Sequence, residues 1–205
     1  MLDGLDVHDQ ILDMIDDLAE EIISKHANYK IDYQTWDYEA FNQELERRML
    51  PEGTNLMNAD LCSCFDVYKL KAAVMDIALK DYEEKCEDAK ANGFDMGATE
   101  REVLLRTVDS KWIDHIESMD VLRRGIGLRG LGQRDPVIAY REEGWSMFDD
   151  MVNSIHTSTA QTLMKAPRVS EVLEQRQKKA EQAERARNAS NMKGNTRAFV
   201  KGKRK

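Results

Sequence analysis

His115 stands between Asp114 and Ile116, two positions before Glu117, and a histidine paired with a carboxylate is the commonest general base. Neighbours at i and i+1 of a helix do not face each other, however. No serine or cysteine is placed to form a relay with the ring. His115 therefore reads as a packed or hydrogen-bonded scaffold histidine, and no catalytic residue is assigned. Cys62-Ser-Cys64 would make half of a soft metal site, but the remaining cysteine, Cys86, gives no second ligand pair to complete a tetrahedron. The three thiols are expected to be reduced and structural, and no metal is expected. Phosphate chemistry fares no better. The Gly-x-x-x-x-Gly-Lys-Ser/Thr loop does not occur, and Gly125-Ile-Gly-Leu-Arg-Gly130 lacks the lysine and follows a helix rather than a strand. No nucleotide or other cofactor is expected on this chain.

What remains is the chemistry of contact. Arg123, Arg124, Arg129 and Arg134 surround Ile126, Leu128 and Leu131. A connecting loop needs only turn residues, so apolar and basic side chains at a tip suggest a docking surface. The alternative is that they fold back on the hairpin or on a neighbouring domain. Two long helices must carry this tip. Thr99 and Glu102 have capping-box spacing, and Leu104, Val108, Trp112, Ile116, Met119 and Leu122 follow on one face. The first helix is expected to fail near Gly125, where Gly125, Gly127, Gly130 and Gly132 accumulate. Asp135 fits the N-cap of the second helix and Pro136 its first position. Trp145, Phe148, Val152, Ile155, Thr159 and Leu163 make the second apolar face, and the pair predicts an antiparallel hairpin. A stiff hairpin needs interlocking stripes, which assigns packing to Trp112, Ile116, Met119, Phe148, Val152 and Ile155.

The segment from Ser110 to Pro136, continued by Tyr140-Arg-Glu-Glu-Gly-Trp-Ser-Met-Phe148, resembles the signature of SecA, the preprotein translocase motor ATPase family. It is similar to that family's two-helix finger, and weaker similarity covers Asp6 to Ile23, Trp36 to Leu50 and the charged tail. The resemblance implies an all-α chain: an antiparallel hairpin packed on a scaffold helix, an inserted helical wing and a flexible C-terminal tail. It divides the chain into 1–26, the end of a long scaffold helix; 27–95, the wing; 96–165, the finger; and 166–205, a linker. It implies preprotein and a SecY-type membrane channel as partners, with Arg129, Leu131, Gln133 and Arg134 as the contact residues. The family usually carries a tip aromatic where this chain has Leu131, so an apolar contact carries over and one needing a ring or hydroxyl does not. ATP and magnesium are implied for motor domains N-terminal to this part, which would also be partners, and the family's cysteine-rich zinc segment has no counterpart here. Location in the cytoplasm and at the inner face of the bacterial membrane follows from the same resemblance, as does a chain truncated at its start. A homodimer stays an open alternative.

Composition agrees. The chain has 205 residues, 41% apolar and 33% charged, with three prolines and little strand-type alternation. No run approaches the roughly 20 apolar residues that span a bilayer, and the acidic start does not resemble a signal peptide. The net charge of -8 hides an asymmetry: Lys165–Lys205 carries 13 basic and 4 acidic residues, +9, which leaves the body at -17. An acidic body argues against nucleic acid as the main partner. The basic tail gives a competing reading, a free-standing helical adaptor for a protein or an anionic membrane surface, at about 1 kcal/mol per Lys or Arg.

Taken in order, Asp6 is expected to cap a helix to about His26 striped by Val7, Ile11, Ile15 (or Met14), Leu18 and Ile22, with His8 and His26 solvated at its ends. A linker covers 28–33. Asp37 caps a helix with Phe41, Leu45 and Met49, closed by Pro51 and Gly53, with Trp36 packing back as a staple. A longer helix spans Phe65 to about Ala91 with Tyr68 (or Val67), Ala72, Met75, Leu79 and Tyr82 on one side. Pro167 ends or kinks the hairpin's second helix. Residues 170–189 read as partly helical and exposed, and 191–205 as disordered.

Overall fold

A computed structural model describes residues 7–27, 36–54, 67–129 and 135–183. Asp6, the linker, Cys62, Cys64, Gly130, Leu131, Gly132, Gln133, Arg134 and residues 184–205 lie outside the described residues. Among those described, every regular element is helical: α1 (His8–His26), α2 (Tyr38–Arg48), α3 (Val67–Ala91), α4 (Met96–Arg129), α5 (Pro136–Met164), and α6, which begins at 169 and is helical through 183.

α1 is the hub. Ile11, Ile15, Leu18, Ala19 and Ile22 are fully buried, with Val7, Met14 and Ile23 nearly so. Spaced by three, four and seven, they cover a broad arc, and α2, α3, α4 and α5 all pack on it. Each fully buried Ile or Leu removes enough apolar area to contribute about 1.5–3 kcal/mol. The acidic face of α1 is gripped by one nitrogen-bearing side chain from each of three helices. Lys71 of α3 reaches Asp16 at 2.8 Å and Glu20 at 3.0 Å, Arg48 of α2 reaches Glu21 at 2.7 Å, and His156 of α5 reaches Asp17 at 2.7 Å.

The caps at Asp37 and Asp135 form as their sequence predicts. Asp37 accepts from the Ala40 N–H at 2.9 Å, and Asp135 from the Val137 N–H at 2.8 Å with Pro136 at the first position. α3 ends where Gly93 takes φ +76 and the Phe94 N–H turns back to the Ala89 carbonyl at 2.9 Å, a left-handed cap that favours glycine. α5 stops at Met164, before Pro167.

Four expectations are corrected. Thr99 does not cap α4, which starts at Met96; the Thr99 hydroxyl donates to the Asp95 carbonyl one turn back at 3.2 Å. Gly125 does not stop α4, which continues through it and through Gly127 to Arg129. A glycine costs a helix about 1 kcal/mol, and the pairing of α4 with α5, the most extensive between any two helices here, outweighs that cost. The buried stripe of α3 runs through Val74, Ala78, Tyr82 and Ala89, leaving Tyr68 83% exposed and Ala72 exposed. His8 and His26 are paired rather than merely solvated: His8 Nδ1 lies 2.7 Å from Glu100 and His26 Nε2 lies 2.5 Å from Glu44.

Candidate functional site

The buried core takes in Leu104 of α4 and Ala160, Leu163 and Met164 of α5, with Val108 and Ile155 half-buried against it. Beyond Val108 and Ile155 the two helices run on with no residue in that core. From Val108 to Arg129 α4 rises about 32 Å at 1.5 Å per residue. This outer half is an arm held by its own seam. Met119 packs on Gly144, its Cε 3.1 Å from where a Cβ would stand. The His115 ring sits 5.8 Å from Trp112 on its own helix and 6.0 Å, edge-on, from Phe148 of α5. Leu122 and Ala139 are buried near the outer end. As α4 residues rise from 115 to 119 their partners fall from 148 to 144, an antiparallel register.

The seam is narrow, and much apolar surface stays outside it. Trp112 is 49% exposed and Ile116 48%, while Phe148 is 39% exposed and Trp145, 6.3 Å from Phe148, is 69% exposed. Val137 and Ile138 are open in the first turn of α5. Met119 and Val152 are half-buried in the arm, and Ile155 packs on the core at its base. Isolated exposed hydrophobes are ordinary; here aromatics and isoleucines stand exposed along the length of one arm. Arg129 closes α4, with its side chain outside the described set, and Leu131, Gln133 and Arg134 fall wholly outside it.

The base of the arm is anchored electrostatically. Glu100, 1% exposed at the start of α4, accepts from the Tyr82 hydroxyl at 2.7 Å and pairs with His8. The His8 ring stacks on Tyr82 at 6.0 Å. Burial, with the Glu100 hydrogen bond and charge, pushes the Tyr82 phenol well above its ordinary range. Burial also raises the Cys86 thiol to about 11, aided by Glu100, so this thiol stays protonated and unreactive. A second anchor joins α1 and α2. Burial alone would raise the Glu44 carboxyl, but hydrogen bonds from His26 and Lys25 more than offset it and hold it at about 2. Arg48 adds bonds to Glu21 at 2.7 Å and to Gln161 of α5 at 3.2 Å. His115 meets the rings of Trp112 and Phe148, and among the described residues no three or more His, Cys, Asp or Glu side chains converge to hold a metal. No described helix is long and apolar enough to cross a membrane.

Sequence reasoning placed Tyr82 on the α3 stripe but missed the pairing of Glu100 with His8 and Tyr82, and the Asp17–His156 pair. Their partners lie 92, 18 and 139 positions apart, and no local pattern announces such contacts.

The described residues form a helical hub that carries a long two-helix arm with an apolar flank. The family model of the SecA Wing and Scaffold domain matches residues 1–167, and the chain belongs to this family. It is 34% identical over 178 residues to the protein translocase subunit SecA of Acetivibrio thermocellus, covering 87% of this chain and 19% of that protein. It is 37% identical over 164 residues to SecA 1 of Clostridioides difficile, covering 80% of this chain and 17% of the relative. Against the Finegoldia magna subunit it is 37% identical over 172 residues, 84% of this chain and 18% of that one. The chain thus spans about a fifth of the length of the relatives it matches.

Proposed function

We propose that this chain works as the scaffold and wing of a protein translocase motor subunit. The α4–α5 arm acts as its two-helix finger, passing motor movement to a preprotein in a membrane channel. The observation that supports this most is the arm itself: a hairpin rooted in a cross-linked core, running past it with aromatic side chains open to a partner. Force needs a root and a lever. Glu100 and His156 supply the root by tying α4 and α5 to α1. Trp112, Ile116, Met119, Phe148, Val152 and Ile155 supply the lever, and Arg129, Leu131, Gln133 and Arg134 the contact with preprotein or a SecY-type channel.

In this reading α2 and α3 belong to the wing, ATP and magnesium are held by motor domains of the longer protein, and the chain alone hydrolyses no ATP. The basic segment from Asn191 to Lys205 draws the molecule to an anionic membrane surface at the inner face of the cell membrane. Photocrosslinking from position 131 of the full-length subunit, with channel and a stalled preprotein, tests it. Adducts with preprotein or channel are expected, and their absence while the subunit still hydrolyses ATP would sink the assignment.

A further inference from the structure

The helix that opens at residue 169 has no cap of its own. Arg168 is its N-cap residue, since the Val172 N–H donates to the Arg168 carbonyl at 3.2 Å, but a guanidinium offers the first turn no acceptor. The acceptor comes from α3: the Ser170 N–H donates to Asp88 Oδ2 at 3.0 Å, across 82 positions of chain. Hydrogen bonds from the Ser170 backbone and hydroxyl, and from the Val169 backbone, hold the Asp88 carboxyl below its ordinary range.

The same face of α3 grips the rest of the junction. Arg168 reaches Asp81 at 3.2 Å and Glu84 at 2.7 Å, and Lys85 donates to the Met164 carbonyl. Asp81, Glu84, Lys85 and Asp88 share one helix face by their three- and four-residue spacing. Little else supports α6. Val172 and Leu173 are half-buried, and 174–183 are all exposed. A helix of this length with so little apolar burial is marginal in water. Arg168 and Ser170 also lie just past residue 167, where the family match stops.

We propose that α3 nucleates α6 in trans, so that α6 is ordered only while α3 is docked on residues 164–170 and any displacement of α3 releases the chain beyond Pro167. The fold thereby contains a coupling between an inner helix and the C-terminal segment. Amide hydrogen exchange on the intact chain tests it. Asp88→Ala should speed exchange within 169–178 about five- to thirty-fold, the ratio that corresponds to one lost cap. Asp88→Asn, which keeps an acceptor, should stay within about twofold of the parent. Arg168→Gln, which alters no residue of α3, should also speed exchange in 169–178. Unchanged exchange in Asp88→Ala would overturn the proposal. So would equal loosening of α1 and α5, which would make Asp88 a general stability residue.

Discussion

Met119 lies over Gly144, with its Cε 3.1 Å and its Sδ 3.7 Å from the point a Cβ there would occupy. The α4–α5 arm closes at this spot because a glycine leaves room for the methionine. Gly125, also helical, has nothing within 4 Å of its Cβ position. The two glycines should therefore respond differently. Gly125→Ala gains helix propensity without a clash and should stabilise by about 0.5–1 kcal/mol. Gly144→Ala should gain less, because the flexible Met119 end must yield, and Gly144→Leu should cost about 1–3 kcal/mol by overpacking. Urea unfolding of the three variants reads the order.

The Glu100 carboxylate accepts from Tyr82 while almost wholly out of water. Tyr82→Phe removes a hydrogen bond to a charged group and should cost about 1.5–3 kcal/mol. The loss should show as a lower urea midpoint with an unchanged slope.

Acid should weaken the α1–α2 joint. Glu44 is held at about 2 against an ordinary 4.5, so the folded state favours its ionised form. The stabilisation is present above about 4.5 and drains away as pH falls toward about 2. It amounts to at most about 3 kcal/mol from a shift of that size. Glu44→Gln should flatten the stability profile across that window, as measured by urea titration at stepped pH.

Removing the cap should shorten α5 from its N-terminal end. Asp135→Ala leaves the Val137 N–H without its side-chain acceptor and should cost about 1 kcal/mol. Hydrogen exchange should rise in the first turn of α5 and not at Thr159, which is fully buried.

Trp145 separates stability from function. At 69% exposure its replacement by Ala should move the unfolding midpoint of the chain by less than about 1 kcal/mol. In the longer translocase subunit proposed above, the same change should slow preprotein transport, scored in a vesicle import assay. Normal transport would show that the aromatic flank of the arm carries no contact.

Much of this was legible along the chain because it is local. Asp37, Asp135 and Pro136 announce helix starts within three residues, and the α1 stripe repeats every three or four. Gly125 misled because its cost is local while the benefit that overrides it, pairing with α5, is not. On α3 the spacing places Tyr82 correctly, but several faces carry comparable apolar content, and only packing on α1 chose Val74 and Ala78 over Tyr68 and Ala72. The histidines at the ends of α1 looked solvated because their carboxylates sit on other helices. The spacing on α4 and α5 predicts interlocking stripes, and a two-helix seam has room for only part of them.

The hub position of α1 has a consequence for synthesis. Asp17 waits for His156, 139 residues downstream. At about 5–20 residues per second, the ribosome takes on the order of ten seconds to deliver it. Through that interval a helix with Ile11, Ile15, Leu18 and Ile22 on one side leaves the exit tunnel before its largest cover exists. The nascent chain should therefore be a client of holdase chaperones, released when the returning strut of the arm emerges.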